Sequence, residues 1–302
     1  MSTENKVNQS QSKGFDCSGG IRKLDGESLK CAFQRDGFVT FPNVLSHDLV
    51  KELNQHLDDV FKGNYDRNTE PDKRPKTTSI YTNTGKKRVQ QIINIHKCDS
   101  AFRKLVTNKE IARAVGILAG WTDVGVRMIQ DQIWAKPAQS PPLTFHRDSP
   151  YFMFTPDDVV TVWVALDFMS EELGPLEYVK GSHLWGKGRV GTSSAFFQSK
   201  GGKDLLYDAA LKEGLQPDDL EIVSMAGIEA GGISIHNGLT WHGSGKNKSL
   251  NRPRRGLGIH YIPGNAEFTA EALQSKLWRN YYDESTNGAT LSSKDFPLVW
   301  KA

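Results

Sequence analysis

Apolar residues recur with two different periods along this chain, and the change of period divides it. Between Ser46 and Gly63 the apolar positions are Leu49, Val50, Leu53, Leu57 and Phe61, the spacing of one helical face. Ser46 suits the N-cap and Gly63 the stop. A second helix is expected from about Asn108 to Ala119, closed by Gly120. Each stripe needs a partner surface to cover it. Ahead of them, Gly37 to Phe41 reads as a strand, and ordered structure is expected to begin near Leu29.

From about residue 126 the texture becomes short strands. Val159 to Leu166 is almost continuously β-branched or apolar, as in a strand buried on both faces. Ile222 to Met225, Ile233 to His236 and Leu257 to Ile262 follow, separated by glycine-rich turns. Many short strands with such turns predict a barrel or jelly roll, mainly β with flanking helices. A last helix is expected over about Ala270 to Tyr282. Residues 1–28 read as a flexible leader and 29–302 as one domain, with the jelly-roll core at about 126–265 and a Gly/Ser-rich lid at about 186–202.

Composition narrows the function. The 302 residues are 37% apolar and 24% charged, with a net charge of +3, which argues against disorder and against a general nucleic-acid binder. A chain of this length buries enough surface to fold without a metal, so a metal site reads as chemistry. No apolar run reaches the roughly 20 residues of a membrane span, and the polar opening lacks a signal-peptide core. Three cysteines without a C-x-x-C argue against a disulfide framework or a cysteine zinc site. A cytoplasmic protein, monomeric or a weak homodimer, that takes a small molecule and neither nucleic acid nor membrane is expected. The polar stretch 64–88 carries Lys73, Arg74, Lys76, Lys86, Lys87 and Arg88. It reads first as a solvated loop and second as a wall that meets an anionic substrate.

Eight histidines are present, and their settings differ. His47 and His56 lie among polar residues and read as surface. In His146-Arg147-Asp148 the His and Asp at i and i+2 would point to one side of a strand and could share a metal ion. His242 ends a β-like run before a glycine-rich turn, and Arg254 enters the next strand. Two His and one carboxylate on a β scaffold make the facial triad of non-haem Fe(II) sites. A dicarboxylate 2-oxo acid chelating such iron needs a fixed, always-charged partner for its far end, a role suited to Arg.

The sequence resembles the phytanoyl-CoA dioxygenase family of Fe(II)/2-oxoglutarate oxygenases. The matching pieces, in order over roughly 29–265, are Asp36-Gly37-Phe38-Val39 with Leu45-Ser46, then His146-Arg147-Asp148. Trp163 to Asp167, Gly174-Pro175-Leu176-Glu177 and Gly181-Ser182-His183 follow. The last are His242-Gly243-Ser244-Gly245 with Asn247 and Ser249, closing on Arg254-Arg255. The resemblance implies a double-stranded β-helix, in agreement with the strand pattern. It implies that His146, Asp148 and His242 bind iron and that Arg254, helped by Ser244, holds the distal carboxylate of 2-oxoglutarate. Arg255 is the rival; strand alternation sends the two to opposite faces. Gln132 and Trp163 match positions that line the co-substrate pocket. The implied cofactors are Fe(II), 2-oxoglutarate and O2, with ascorbate supportive.

Other residues read first as structural: His183 in its turn, His236 and His260 as packing with a substrate-facing role as the alternative, His96 as core with the substrate-pocket border as the alternative, Lys136 as a satisfied rim charge rather than a substrate ligand, and Met128 as core. Lys180 and Asn237 depart from the residues common at those positions in relatives. Asp148 fills the position that a halogenating relative leaves open for halide, so no halogenase activity is expected. The implied activity is oxidation of an unactivated C–H bond in a small, anionic metabolite, releasing succinate and CO2. An acyl-CoA 2-hydroxylase, a non-catalytic jelly-roll binding protein and a hydroxylase of proteins or nucleic acids are the alternatives.

Overall fold

The computed structural model describes residues 26–81, 88–186, 202–282 and 289–302. The expected leader up to residue 25, Lys86, Lys87 and the expected lid between 187 and 201 lie outside the described residues. Order begins slightly earlier than anticipated, with helix α1 (Gly26–Asp36) leading into strand β1 (Phe38–Phe41). Helix α2 (His47–Lys62) runs between its anticipated caps. The Ser46 hydroxyl accepts from the Leu49 N–H (3.3 Å), and Gly63 adopts the left-handed conformation that ends it. Strand β2 (Gln90–Ile93) and helix α3 (Ser100–Val106) follow, then α4 (Lys109–Ala119), capped by the Asn108 side-chain oxygen Oδ1 and closed by Gly120.

The strands are β3 (Val126–Lys136), β4 (Leu143–His146), β5 (Phe154–Thr155), β6 (Val160–Ala165) and β7 (Leu176–Val179). After helix α5 (Asp204–Lys212) come β8 (Ile222–Ser224), β9 (Ile233–Asn237), β10 (His242–Ser244), β11 (Arg254–Pro263), β12 (Glu267–Phe268) and β13 (Leu298–Trp300). The larger sheet has the order β1-β9-β6-β11-β3-β13, with β2 also on β3. The smaller is β4-β10-β7-β8, and β5 pairs with β12 as a ribbon. All pairings are antiparallel, and inner side chains of the two sheets meet, as Tyr178 does with Ser234 (2.6 Å). This is a jelly roll with flanking helices.

The outer face of the large sheet carries Ile133, Val162, Ile235 and Ile259, packed with Leu53, Leu57, Phe102 and Val115 from α2, α3 and α4. The helical stripes thus find their partner on the sheet. The expected helix over Ala270 to Tyr282 is two short 3-10 turns, Ala270–Gln274 and Trp278–Tyr281. Between them Ser275 is extended, and its hydroxyl accepts from the N–H groups of Leu277 and Trp278 (both 3.2 Å). A serine side chain that competes in this way for backbone donors interrupts a helix.

Candidate metal centre and its cavity

Pairing of β10 with β4 sets His242 directly opposite His146, so register alone joins two histidines distant in sequence. Asp148 arrives by another route. Strand β4 ends at His146, and Asp148 has helical dihedrals at the start of a 3-10 turn. The expected same-strand alternation is therefore replaced by a turn. The N–H groups of Asp148 and Ser149 both donate to the Gly238 carbonyl (2.8 and 2.9 Å), which draws the chain off the strand and brings the carboxylate back.

In that arrangement Asp148 Oδ1 lies 3.7 Å from His146 Nε2 and 3.6 Å from His242 Nε2. One ligand atom from each residue falls within 4.8 Å of the others. Each histidine donates its Nδ1 proton to the carbonyl two residues earlier, His146 to Thr144 (2.9 Å) and His242 to Thr240 (3.0 Å). That hydrogen bond fixes the tautomer and aims the Nε2 lone pair at the centre. Burial, helped by neighbouring His242, pushes the His146 imidazole down to about 3, so it is neutral. Burial pulls Asp148 upward, but His242 and the hydrogen bond from His236 outweigh it and hold the carboxyl well below its ordinary value. Two imidazoles and one carboxylate, buried together, suit a divalent ion such as Fe(II).

The other carboxylate oxygen is tied down. Asp148 Oδ2 accepts from the Thr161 hydroxyl (2.6 Å) and from His236 Nε2 (3.2 Å). His236 Nδ1 meets the Tyr178 hydroxyl (3.1 Å), and Thr161 meets His260 Nδ1 (2.9 Å). Neither His236 nor His260 is mere packing, contrary to the expectation. Burial lowers both imidazoles, His236 to about 4.

The centre opens onto a cavity of about 660 Å³ lined by, among others, Gln132, Trp163, His236, Arg254 and His260. Arg254 and Arg255 separate as alternation requires. Arg255 turns to the other face, where its guanidinium pairs with Asp167 (2.6 Å). Arg254 is 1% exposed, donates to Ser244 Oγ (3.3 Å) and stacks at 5.7 Å over Trp163. A Cβ at Gly256 would run into the Trp163 ring, so glycine there makes room for it. Lys136 is the clearest correction. It is wholly buried rather than on the rim, sits opposite Arg254 on β3, and donates to Ser244 Oγ (3.1 Å) and the Gly245 carbonyl. Burial and the nearby Arg254 hold its ammonium well below the usual lysine range, and burial lowers Arg254 to about 10. Arg254 Nε has no hydrogen-bond partner. Two crowded, buried cations with a spare donor fit an anionic group such as the far carboxylate of 2-oxoglutarate.

Within the basic stretch, Lys73 reaches the cavity and donates to Gln91 Oε1 (2.5 Å), whereas Arg74 pairs with Glu70. His96 pairs with Asp131 on the helix side of the sheet, and His183 contacts the Gln34 carbonyl (2.9 Å). His56 is bound to Asp99 (2.7 Å) rather than free at the surface. His56, Asp66 and Asp99 also lie close together, but Asp99 caps α3 through Phe102 N–H and Asp66 accepts from Ser100. Sequence reasoning passed over Thr161 and Gln130 and favoured packing for His236 and His260. Their signal is the alternation Ile233-Ser234-Ile235-His236, which sets polar residues against an apolar face.

Comparison with known proteins agrees with this geometry. The family model for phytanoyl-CoA dioxygenase (PhyH) matches residues 33–256. A Stutzerimonas stutzeri protein named "Probable alpha-ketoglutarate-dependent hypophosphite dioxygenase" is 28% identical over 185 residues, 60% of this chain and 59% of that relative's length. A Caenorhabditis elegans "Phytanoyl-CoA dioxygenase domain-containing protein 1 homolog" is 26% identical over 78% of this chain and 90% of the relative. Among solved structures, the epimerase SnoN in complex with Fe3+, alpha ketoglutarate and nogalamycin RO has a TM-score of 0.66 at 23% identity, covering 91% of this chain and 98% of that one. The carbocyclase SnoK has a TM-score of 0.66 at 21% identity over 93% and 98%. These last two likenesses are of fold. No helix among the described residues is long and apolar enough to cross a membrane.

Proposed function

The chain belongs to the phytanoyl-CoA dioxygenase family and is an Fe(II)/2-oxoglutarate-dependent dioxygenase, and on that premise we propose that it oxidises an unactivated C–H bond of a small, anionic metabolite. His146, Asp148 and His242 hold the iron, and Arg254 with Ser244 receives the far carboxylate of 2-oxoglutarate. The carrying observation is the convergence of the three ligand atoms on a cavity that buried Arg254 also lines, with Lys136 opposite it on β3. Iron with 2-oxoglutarate and O2 supplies C–H oxidation coupled to formation of succinate and CO2.

The protein's own part is positional. Thr161 and His236 occupy Asp148 Oδ2, so Oδ1 alone turns toward both histidines. A carboxylate held in this way would offer one oxygen to a metal ion. Arg254 orients 2-oxoglutarate by a bidentate-capable, permanently charged group, while Gln132 and Trp163 line its cavity. Phe152 and Trp278, tilted against each other with ring centroids 5.7 Å apart on the wall, help keep water from the centre.

The cavity volume matches a small ligand. Lys73 on its wall supports an anionic one, and the oxyanion substrate in the bacterial relative's name points the same way. The outcome on the substrate is hydroxylation, desaturation or ring closure. Incubation with Fe(II), ascorbate, 2-oxoglutarate and a panel of small carboxylates and oxyanions tests the reading. Succinate formation stimulated by one panel member is expected. Binding of 2-oxoglutarate with no succinate from any member would favour a non-catalytic binding protein instead.

A further inference from the structure

Two buried polar atoms on the cavity wall have no hydrogen-bond partner, Gln130 Nε2 and His260 Nε2. Their residues stand opposite one another on β3 and β11 and are 2% and 5% exposed. Polar atoms buried in this way are costly unless a ligand satisfies them.

The neighbours decide what each atom offers. Lys73 Nζ only donates, and it faces Gln91 Oε1. The Gln91 amide nitrogen therefore points to Gln132 Oε1 (2.7 Å), and Gln132 in turn donates to Gln130 Oε1. This ladder of amides runs one way from the ammonium, and it ends with the Gln130 NH2 free as a donor. Across from it, Thr161 spends its single hydroxyl proton on Asp148 Oδ2. Its contact with His260 Nδ1 is then made by an Nδ1–H donor, so neutral His260 offers the Nε2 lone pair to the cavity.

We propose that Gln130 and His260 together recognise a substrate group that both accepts and donates a hydrogen bond: an alcohol at one oxygen, or the edge of a carboxamide. A carboxylate oxygen would satisfy Gln130 but set lone pair against lone pair at His260, so the substrate's anionic end lies elsewhere, on the side of Lys73. The inference rests on reading this cavity as the substrate site of a 2-oxoglutarate oxygenase.

The test is titration of the anaerobic Fe(II)/2-oxoglutarate complex with hexanoate, the 2- to 6-hydroxyhexanoates and adipic acid monoamide, followed by calorimetry. At least one hydroxylated or amidated probe should bind about tenfold or more tightly than hexanoate. The alcohol and amide arms separate the two forms. In Gln130→Leu, Gln130→Glu and His260→Phe that preference should fall to about one. Equal binding of all probes by the wild type, or no binding of any, overturns the proposal, as does a preference that survives all three substitutions. Binding of 2-oxoglutarate to the wild type, measured before the probes are added, tests the underlying reading separately. If it is intact and no preference follows, only the recognition proposal fails.

Discussion

The two faces of the large sheet are built from the same strands and are both largely buried, yet they do opposite things. On the helix side Ile133, Val162, Ile235 and Ile259 meet Leu53, Leu57 and Val115, and the polar exceptions are paired, Asp131 with His96 and Arg255 with Asp167. On the cavity side the alternate residues are Gln130, Gln132, Thr161, His236, Arg254 and His260, and three of them leave a polar atom unsatisfied. The helix side gains stability from apolar burial. The cavity side gives some of it up to hold donors and acceptors ready for ligands, as functional sites do. If the division is sound, substitutions on one face should move ligand affinity and those on the other should move folding stability.

The largest effects are expected at the proposed metal ligands. His146→Ala and Asp148→Ala should weaken Fe(II) or Mn(II) binding beyond the roughly 10–100-fold typical of removing an outer partner. Turnover should be lost, with folding intact. Thr161→Val, which frees one oxygen of Asp148, should fall within that 10–100-fold range. Calorimetric titration of the metal-free protein makes the measurement; unchanged metal affinity in His146→Ala would undo the assignment. With Asp148 as the proposed carboxylate ligand, no coordination position is set aside for halide, and the wild type should form no chlorinated product in chloride.

Adjacent arginines sharpen the comparison next. Arg254→Lys should weaken 2-oxoglutarate binding by roughly 10–100-fold, since one ammonium cannot reproduce the guanidinium fork. Its thermal midpoint should barely move. Arg255→Gln should do the reverse, costing about 1–3 kcal/mol by breaking the pair with Asp167 while leaving 2-oxoglutarate affinity alone. A large affinity loss in Arg255→Gln, with none in Arg254→Lys, would exchange their roles.

The polar face should also make the metal-free protein acid-sensitive. His146 and His236 are held down to about 3 and 4, below the ordinary 6.5 of an unfolded histidine. Between those values the unfolded chain binds protons that the folded one refuses, so stability should fall as pH drops from about 6.5 toward 4. Below 3.8 the lowered carboxyl of Asp148 adds to the loss, because its ionised form is favoured only in the folded state. Urea unfolding of metal-free protein from pH 7.5 to 4.5 measures this. A flat profile would mean that these imidazoles are not protected from protonation.

Much of this division was legible in the residue order. Caps at Ser46 and Gly63, the alternation that splits Arg254 from Arg255, and the run Val160 to Ala165 follow from local rules. What local rules could not supply was anything set by distant partners. Asp148 reaches the centre because its own N–H and that of Ser149 find the Gly238 carbonyl, across the fold. Lys136 looked like a rim charge because nothing near it in sequence reveals that β3 pairs it with Arg254. His236 and His260 looked like packing because their common partner, Asp148, lies far from both along the chain. The helix expected after Ala270 failed for a local reason, the Ser275 hydroxyl, which periodicity alone did not weigh.

The smallest expected effect is the most demanding test of independence between the faces. Ile259 is fully buried on the helix side, between Gly258, which lines the cavity, and His260, whose Nε2 has no partner. Ile259→Val removes one methyl group, costing about 0.5–1.5 kcal/mol through lost contacts and a small cavity. Strand β11 is held on both sides, by β3 and β6, over the pairs Ile259–Asp131 and Ile259–Val162. The ladder should therefore keep the backbone fixed while the methyl-sized gap is absorbed among the helices. Metal and 2-oxoglutarate affinities should stay within about twofold of wild type, because the Ile259 side chain packs on the helix face and, among the described residues, shares no partner with the proposed ligands. A shift of several-fold would mean that packing under the helices sets the position of His260 through the strand, and the two faces would then have to be treated as one mechanical unit.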